Sequence, residues 1–405
     1  MRRKQPRVKN RNRRFTSKIK YAPGRSGARK RRRLAAIILL IFACVSLSFI
    51  FYKMLFTASV DSRSCKEKTG DSENCQNADV ASHAGDSILP SSRDEIVYNV
   101  KEVPNFKGDR GTQEIVNEVV QLLRKEGFQT NGISISLVDF NSSSCCSYGG
   151  FLDDDLRYPA SIVKLFWIAA LYGQYNSGVL SETSLYNEYE YEMVHNSNND
   201  AASRLIDIMT QTESGKNLVG DEYGAWKAKR DWVNDFFRGA DYQALNITQK
   251  NFPTSSFLEP EGRDFQLRED TFGSPNRNYL TTRETARLLY EVHTEKCVSS
   301  KYSRRVKDYL RHSREEEQLQ PTENSSIEGF FGQSIPSEAD FFTKVGLTES
   351  SRQEAAIVDL PDGRSSYILV VFADGQEYSQ DNDVFPTISR LVYDKINLKK
   401  LAKIE

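Results

Sequence analysis

The stretch that most constrains this chain is residues 158–172, Tyr-Pro-Ala-Ser-Ile-Val-Lys-Leu-Phe-Trp-Ile-Ala-Ala-Leu-Tyr, where every residue after Ser161 is apolar except Lys164. A helix that is apolar on all sides has no face to offer water, so it belongs in the interior. A lone ammonium inside it must be hydrogen-bonded or give up its proton, and burial lowers a lysine pKa toward the range of a useful base. Ser161 precedes Lys164 by three positions, one turn away on the same side, with Cβ atoms about 5–6 Å apart. That is the form of a nucleophile and its activating base. Pro159 and the turn-forming Asp153-Asp154-Asp155 put Ser161 at the helix start, where free N–H groups and the helix dipole favour a developing oxyanion. The same Ser-x-x-Lys spacing at Ser17 and Lys20 sits in a basic tail and carries no such meaning, so the apolar context is the signal.

The zero net charge of the 405 residues hides an asymmetry. Residues 1–33 hold 16 of the 55 Lys and Arg and no acid, which leaves 39 bases against 55 acids beyond them. Next come residues 34–52, 19 positions without a charge, which as a helix would extend roughly 28 Å. That length matches the hydrocarbon core of a bilayer, and the basic flank should remain cytoplasmic. The expected organisation is therefore a cytoplasmic tail (1–33), a transmembrane helix (34–56), a polar linker (57–95) and an outward-facing domain (96–405). A cleaved signal peptide is the competing reading, against which both the basic leader and the apolar run are long. The tail offers only Phe15 and Tyr21 for stacking and has no recognition module, so contact with anionic lipid is expected and nucleic-acid binding is not.

Cys65 and Cys75 in the linker are close enough for a local disulfide, whereas adjacent Cys145 and Cys146 are not expected to bridge each other, and Cys297 stands alone. His83, His195, His293 and His312 are scattered without zinc-ligand spacing, so neither a metal nor another cofactor is expected. Ile115, Val119, Val120, Leu122 and Leu123 fall at helical spacing, and Ile133, Ile135 and Leu137 alternate with Ser134 and Ser136 as a strand does. Two β-type runs, 354–360 and 367–373, flank the turn Pro361-Asp362-Gly363 before a helix over 387–401. Strands at both ends with helices between predict an α/β (α+β) fold: an antiparallel sheet flanked by helices, plus an all-helical subdomain.

Three elements occur in order: Ser161-Ile-Val-Lys164, Ser197-Asn-Asn199 and Lys344-Val-Gly346. Together they resemble the signature of penicillin-recognising serine enzymes, most closely the class A β-lactamase branch, and the likeness extends over about residues 96–400. Ser197-Asn198-Asn199-Asp200-Ala201-Ala202, with Leu205 and Ile206 in phase, is similar to that family's second motif, and residues 280–289 resemble the helix after its active-site loop. The resemblance implies a β-lactamase/transpeptidase-like fold, with Ser161 as acylated nucleophile and Lys164 as its base. Ser197 would pass a proton to the leaving nitrogen and Asn199 would bind the substrate's amide side chain. Lys344 would hold Ser197 and attract a carboxylate, the N–H groups of Ser161 and Leu347 would form an oxyanion hole, and Gly346 would be among the substrate-binding residues.

Three departures bear on substrate and turnover. Val345 stands where the family has Thr or Ser, removing a hydroxyl that would bind a carboxylate, with Thr343 or Thr348 as substitutes if the register allows. Residues 215–268, holding Trp226, Trp232, Phe236 and Phe237, form an enlarged segment. The Glu that activates the deacylating water has no clear counterpart; Glu269 is the nearest candidate, its bland alternative being a solvated loop carboxylate. The expectation is a membrane-anchored serine hydrolase at the bacterial plasma membrane, its domain extracytoplasmic, forming an acyl-enzyme with a β-lactam or a peptidoglycan-like peptide. The rivals are a D-alanyl-D-alanine peptidase-like penicillin-binding protein with slow deacylation, and a non-catalytic binding module on the same fold.

Overall fold

A computed structural model describes residues 103–140, 145–269, 275–313, 315, 325–363 and 365–401, all within the unit His83–Glu405. The expected membrane span, the linker and the Cys65–Cys75 pairing lie outside the described residues. Among the described residues no helix is long and apolar enough to cross a membrane.

Asp109 begins the first helix by accepting the N–H of Thr112 on its side chain at 2.8 Å, so that α1 (Arg110–Lys125) turns Ile115, Val119 and Leu123 inward. Strand β2 (Ile133–Asp139) follows, and every one of its residues is buried. Ser134 and Ser136 are accommodated because Ser134 Oγ donates to Leu152 O at 2.5 Å while Ser136 Oγ bonds Tyr148 and Thr282 at 2.9 Å. The alternation in the sequence thus separates two buried faces, not a wet one from a dry one.

Six strands lie in the order β1-β3-β2-β6-β5-β4, with β1 Lys107–Gly108, β3 Ser147–Phe151, β4 Asp340–Thr348, β5 Ser351–Asp359 and β6 Ser366–Asp374. All pairs are antiparallel except β1 with β3, so the sheet is mixed where a wholly antiparallel one was expected. The cause is a two-residue strand, too short to show periodicity, which runs beside β3 just before Asp109 starts α1. Cys145 and Cys146, not expected to bridge, are joined as a vicinal disulfide across a cis peptide just before β3.

One sheet face packs against α1 and α10 (Val384–Leu401), through Leu369 and Val371 from β6 and Ile388, Val392 and Ile396. The other meets α7 (Thr282–His293) and the helical part, whose centre is α2 (Val163–Asn176). Every residue of α2 from Val163 to Tyr175 is buried, Lys164 included. The enlarged segment contributes α5 (Gly220–Arg238), whose Phe237 packs on Phe166 and whose buried Arg230 pairs with Asp207 and Asp264.

Candidate active site

The Ser161 position is built by a tight turn. Ala160–Ile162 form one 3-10 turn leading into α2, and Ala160, immediately before Ser161, has φ +46°, a left-handed conformation that a side chain disfavours. Such strain is retained where the surroundings over-determine the backbone. The constraint is visible on β4: a Cβ added to Gly346 would lie 2.9 Å from Ala160 Cβ and 3.0 Å from the Ser161 amide nitrogen. Only a glycine lets the strand pass this close.

That approach also orients the donors. Thr343 N–H donates outward from the sheet to Leu310 O at 2.7 Å. With a period of two, the N–H of Leu347 leaves β4 on the same outer edge, beside Ser161. Residues 310–312 run along this outer edge as far as Thr343, and beyond them Val345 to Thr348 line the cleft.

Lys164, 0% exposed, donates to Ser161 Oγ at 3.0 Å, Asn199 Oδ1 at 2.7 Å and the Ser197 carbonyl at 2.5 Å, with Ser197 Oγ at 3.4 Å. No carboxylate among the described residues contacts it. Burial first, and the neighbouring Lys344 charge second, push its pKa well below the ordinary lysine value. Its neutral form is thereby favoured, with a lone pair available to Ser161.

Residues 197–199 divide their labour. Asn198 caps α4 (Asn199–Thr210) by accepting the Ala201 N–H at 3.0 Å, which leaves the side chains on either side of it for the cleft. Ser197, at φ +58°, accepts a hydrogen bond from Lys344 Nζ at 2.8 Å. Asn199 holds Lys164 with its oxygen and donates to Pro253 O at 2.9 Å. Lys344, 1% exposed, also reaches Val345 O at 3.2 Å, and burial brings its pKa down to about 7. Ser161, Lys164, Ser197, Asn199, Lys344 and Gly346, distant in sequence, therefore meet in one place.

Ser161, Ser197, Asn199 and Gly346 border an open cleft of about 960 Å³, with Lys164 and Lys344 buried behind them. Glu269 does not line it: the residue ends α6 (Gly262–Glu269), exposed, with its carboxylate 3.5 Å from Arg268 Nε. The segment at the nucleophile is instead Asn251-Phe252-Pro253, with a cis bond before Pro253 and Asn251 Nδ2 donating to Ala160 O at 3.3 Å. Sequence proximity to the Thr281-Thr282 helix start misleads because the loop has a neck. Asn246 pairs with Tyr279, and Asn278 bonds both Gln249 backbone groups, so that Asn251-Phe252-Pro253 meet the cleft while α6 contributes none of its lining residues. Neither Thr343 nor Thr348 takes the place of the hydroxyl missing at Val345. Thr343 donates to buried Glu354 at 2.8 Å, and Thr348 is bonded to Ser351 at 2.7 Å.

Sequence reasoning missed three other lining groups. His195 and His312 stack at 4.3 Å between ring centroids beside Lys344, with burial, His195 and Lys344 together lowering the His312 pKa to about 3. His195 sits two residues before Ser197, the only local hint of its place. Arg352, on β5, also reaches the wall.

Comparison with known proteins agrees with this geometry. No curated protein matches the chain by sequence. Among solved structures, the TLA-1 extended-spectrum β-lactamase superposes with TM-score 0.51 at 12% identity, covering 71% of this chain and 99% of that one. A point mutant of PBP-A, captured as its acyl-enzyme complex with penicillin G, gives TM-score 0.50 at 16% identity, covering 72% and 99%. At such identities the likeness is one of fold. The model of the beta-lactamase enzyme family matches residues 114–396, most of the described structure, and the chain belongs to that family.

Proposed function

We propose that this protein is a membrane-anchored, extracytoplasmic serine acyl-enzyme that attacks a β-lactam or cell-wall peptide amide with Ser161 and releases the acyl group slowly. The observation that carries the reading is Lys164: a fully buried amine with no acidic partner among the described residues, 3.0 Å from a serine hydroxyl. A pure binding surface gains nothing from the cost of burying it.

The chemistry follows from the contacts. Ser161 Oγ attacks the carbonyl carbon as its proton passes to the Lys164 amine, and the carbonyl oxygen becomes an oxyanion between the N–H groups of Ser161 and Leu347. Collapse of this intermediate breaks the bond to the leaving nitrogen. Ser197 Oγ supplies that nitrogen's proton and is reprotonated from the ammonium side through Lys344 or Lys164, at 2.8 and 3.4 Å. Hydrolysis then needs a base for water. Asn251, Phe252 and Pro253 border the nucleophile without a carboxylate, which favours the penicillin-binding behaviour over fast β-lactamase turnover.

The test is intact mass of the protein with excess penicillin over time, with Ser161→Ala as control. A lasting mass gain in the wild type alone supports the reading. Rapid ligand loss with only transient labelling would make it an efficient β-lactamase. No labelling and no ligand loss would overturn the β-lactam reading and leave either a different ester or amide substrate or a binding module. For the anchor, extraction of the full chain from membranes by detergent but not by high salt is expected, on the strength of the uncharged run at 34–52.

A further inference from the structure

The proton-donating Ser197 and strand β4 mark the side of the cleft where the leaving group must lie, and the charges there are arranged in an unexpected way. Val345 presents no hydroxyl; it is 8% exposed and belongs to an apolar cluster with Phe330 and Phe341. Arg352, the deepest guanidinium in the wall, is already committed. Its Nε donates to Tyr378 O at 3.0 Å, Nη1 to Gly329 O at 2.5 Å, and Nη2 to Ser379 O and Asn382 Oδ1 at 2.9 and 2.8 Å. Phe330 covers it, with the guanidinium carbon 4.9 Å from the ring centre. A substrate anion would have to break bonds to buried carbonyls to reach it, each costing about as much as a lost hydrogen bond.

The other cations have partners as well. Arg311 is held 2.6 Å from Asp340 and lies over the Phe342 ring. Lys344 is buried behind Ser197 and directs two of its three donors to Ser197 Oγ and Val345 O. Two exposed carboxylates, Asp308 and Glu328, line the same cleft. Among the described residues this wall therefore holds two exposed acids and one exposed cation, Arg311, which is already paired with Asp340, while Arg352 and Lys344 are buried.

We propose that the acyl donor this cleft accepts is uncharged on the leaving-group side of the scissile bond, so that neutral lactams, esters or internal amides acylate Ser161 in preference to donors bearing a carboxylate there. The inference rests on the acyl-enzyme reading above. An anion approaching the wall meets the exposed Asp308 and Glu328 and finds the cations there already paired, whereas an ester or amide carbonyl meets neither cost.

Benzylpenicillin and its methyl ester test this directly, because they share ring and side chain and differ only in that carboxylate. The full chain in detergent is treated with each at low ionic strength, and Ser161 acylation is followed by intact mass. The ester should react at least tenfold faster, with the ratio falling as salt is raised to about 0.5 M and the Debye length shrinks. Equal rates, or a faster free acid, would overturn the inference while leaving the acyl-enzyme intact. The double variant Asp308→Asn, Glu328→Gln should narrow the ratio, and a ratio unmoved by it would overturn the charge argument. An uncharged fluorophosphonate separates the two levels. If it labels Ser161 while neither penicillin reacts, the inference falls and the nucleophile stands; if it too fails, both fall.

Discussion

Replacing Lys344 by Met should make the protein more stable and less active, by amounts that the site's electrostatics set. The ammonium is 1% exposed, and burial brings its pKa from the ordinary lysine value of 10.5 down to about 7. An unfolded chain therefore binds this proton more tightly than the folded one between pH 7 and 10.5, and stability rises with pH across that window. Taking about 1.36 kcal/mol per unit, the wild type loses about 4 kcal/mol to this group at pH 7 and nothing above pH 10.5. Met fills a similar volume without a charge, but forfeits hydrogen bonds to Ser197 Oγ and Val345 O, about 1 kcal/mol each. The net expectation is a gain of about 2 kcal/mol at pH 7, or roughly 4 °C in Tm. That gain should fade and reverse as pH approaches 10.5. Ser161 acylation should fall by about 10²-fold, since Ser197 loses the cation that holds it. Calorimetry of both proteins from pH 6 to 10, paired with acylation rates, reads all of this. A Lys344→Met variant that is less stable at pH 7, or whose stability difference does not change with pH, would refute the account of a cation retained at the expense of stability.

The remaining predictions concern chemistry and clearance. Lys164→Ala should abolish measurable Ser161 acylation, a loss of about 10²–10⁴-fold, while circular dichroism stays native; acylation at the wild-type rate would remove Lys164 as base. In the wild type, acylation should decline as pH rises past about 7, where Lys344 loses its proton, and Lys344→Arg should remove that alkaline limb if the guanidinium fits. Gly346→Ala should slow acylation by more than tenfold and cost about 1–3 kcal/mol, because the added methyl collides with Ala160 and the Ser161 backbone. Phe252→Glu places a carboxylate in the segment bordering the nucleophile; it should speed loss of the acyl group, read as faster decay of the mass-shifted species, and an unchanged lifetime would show that water is not reached from there.

How much of this was legible beforehand depends on whether a residue's role is local. Lys164 was, because an amine in a helix with no polar face has to be buried wherever that helix packs, and α2 is buried from end to end. So was the β5–β6 hairpin, expected over 354–360 and 367–373 and found over Ser351–Asp359 and Ser366–Asp374. The turn at Pro361-Asp362-Gly363 pins its register from within. Residues whose place is decided by pairing far away were not. Strand β1 is too short for a pattern, and His312 reaches the cleft only because residues 310–312 lie along the outer edge of β4, through Thr343 to Leu310 O and the Arg311–Phe342 bridge.

The loop that misplaced Glu269 shows the same limit from the other side, and it joins the two functional arguments. Its neck at Asn246–Tyr279 is held by side-chain amides, Asn278 on Gln249 and Asn246 on Arg277 O, which no hydrophobic period announces. Once closed, the neck sets Asn251 against Ala160 O and Pro253 O against Asn199, so the loop braces the acylating groups directly. It thereby supports the first half of the reaction, through Asn199 on Lys164, while bringing Phe252 where a water-activating acid would serve the second. The wall opposite makes a parallel choice, committing Arg352 to four structural acceptors where it could have met a substrate anion. Both departures spare the nucleophile, its base and the oxyanion donors, and both alter what is accepted and how soon it leaves. A cleft altered in that pattern fits the proposed enzyme, one that forms a covalent bond to a neutral donor and holds it.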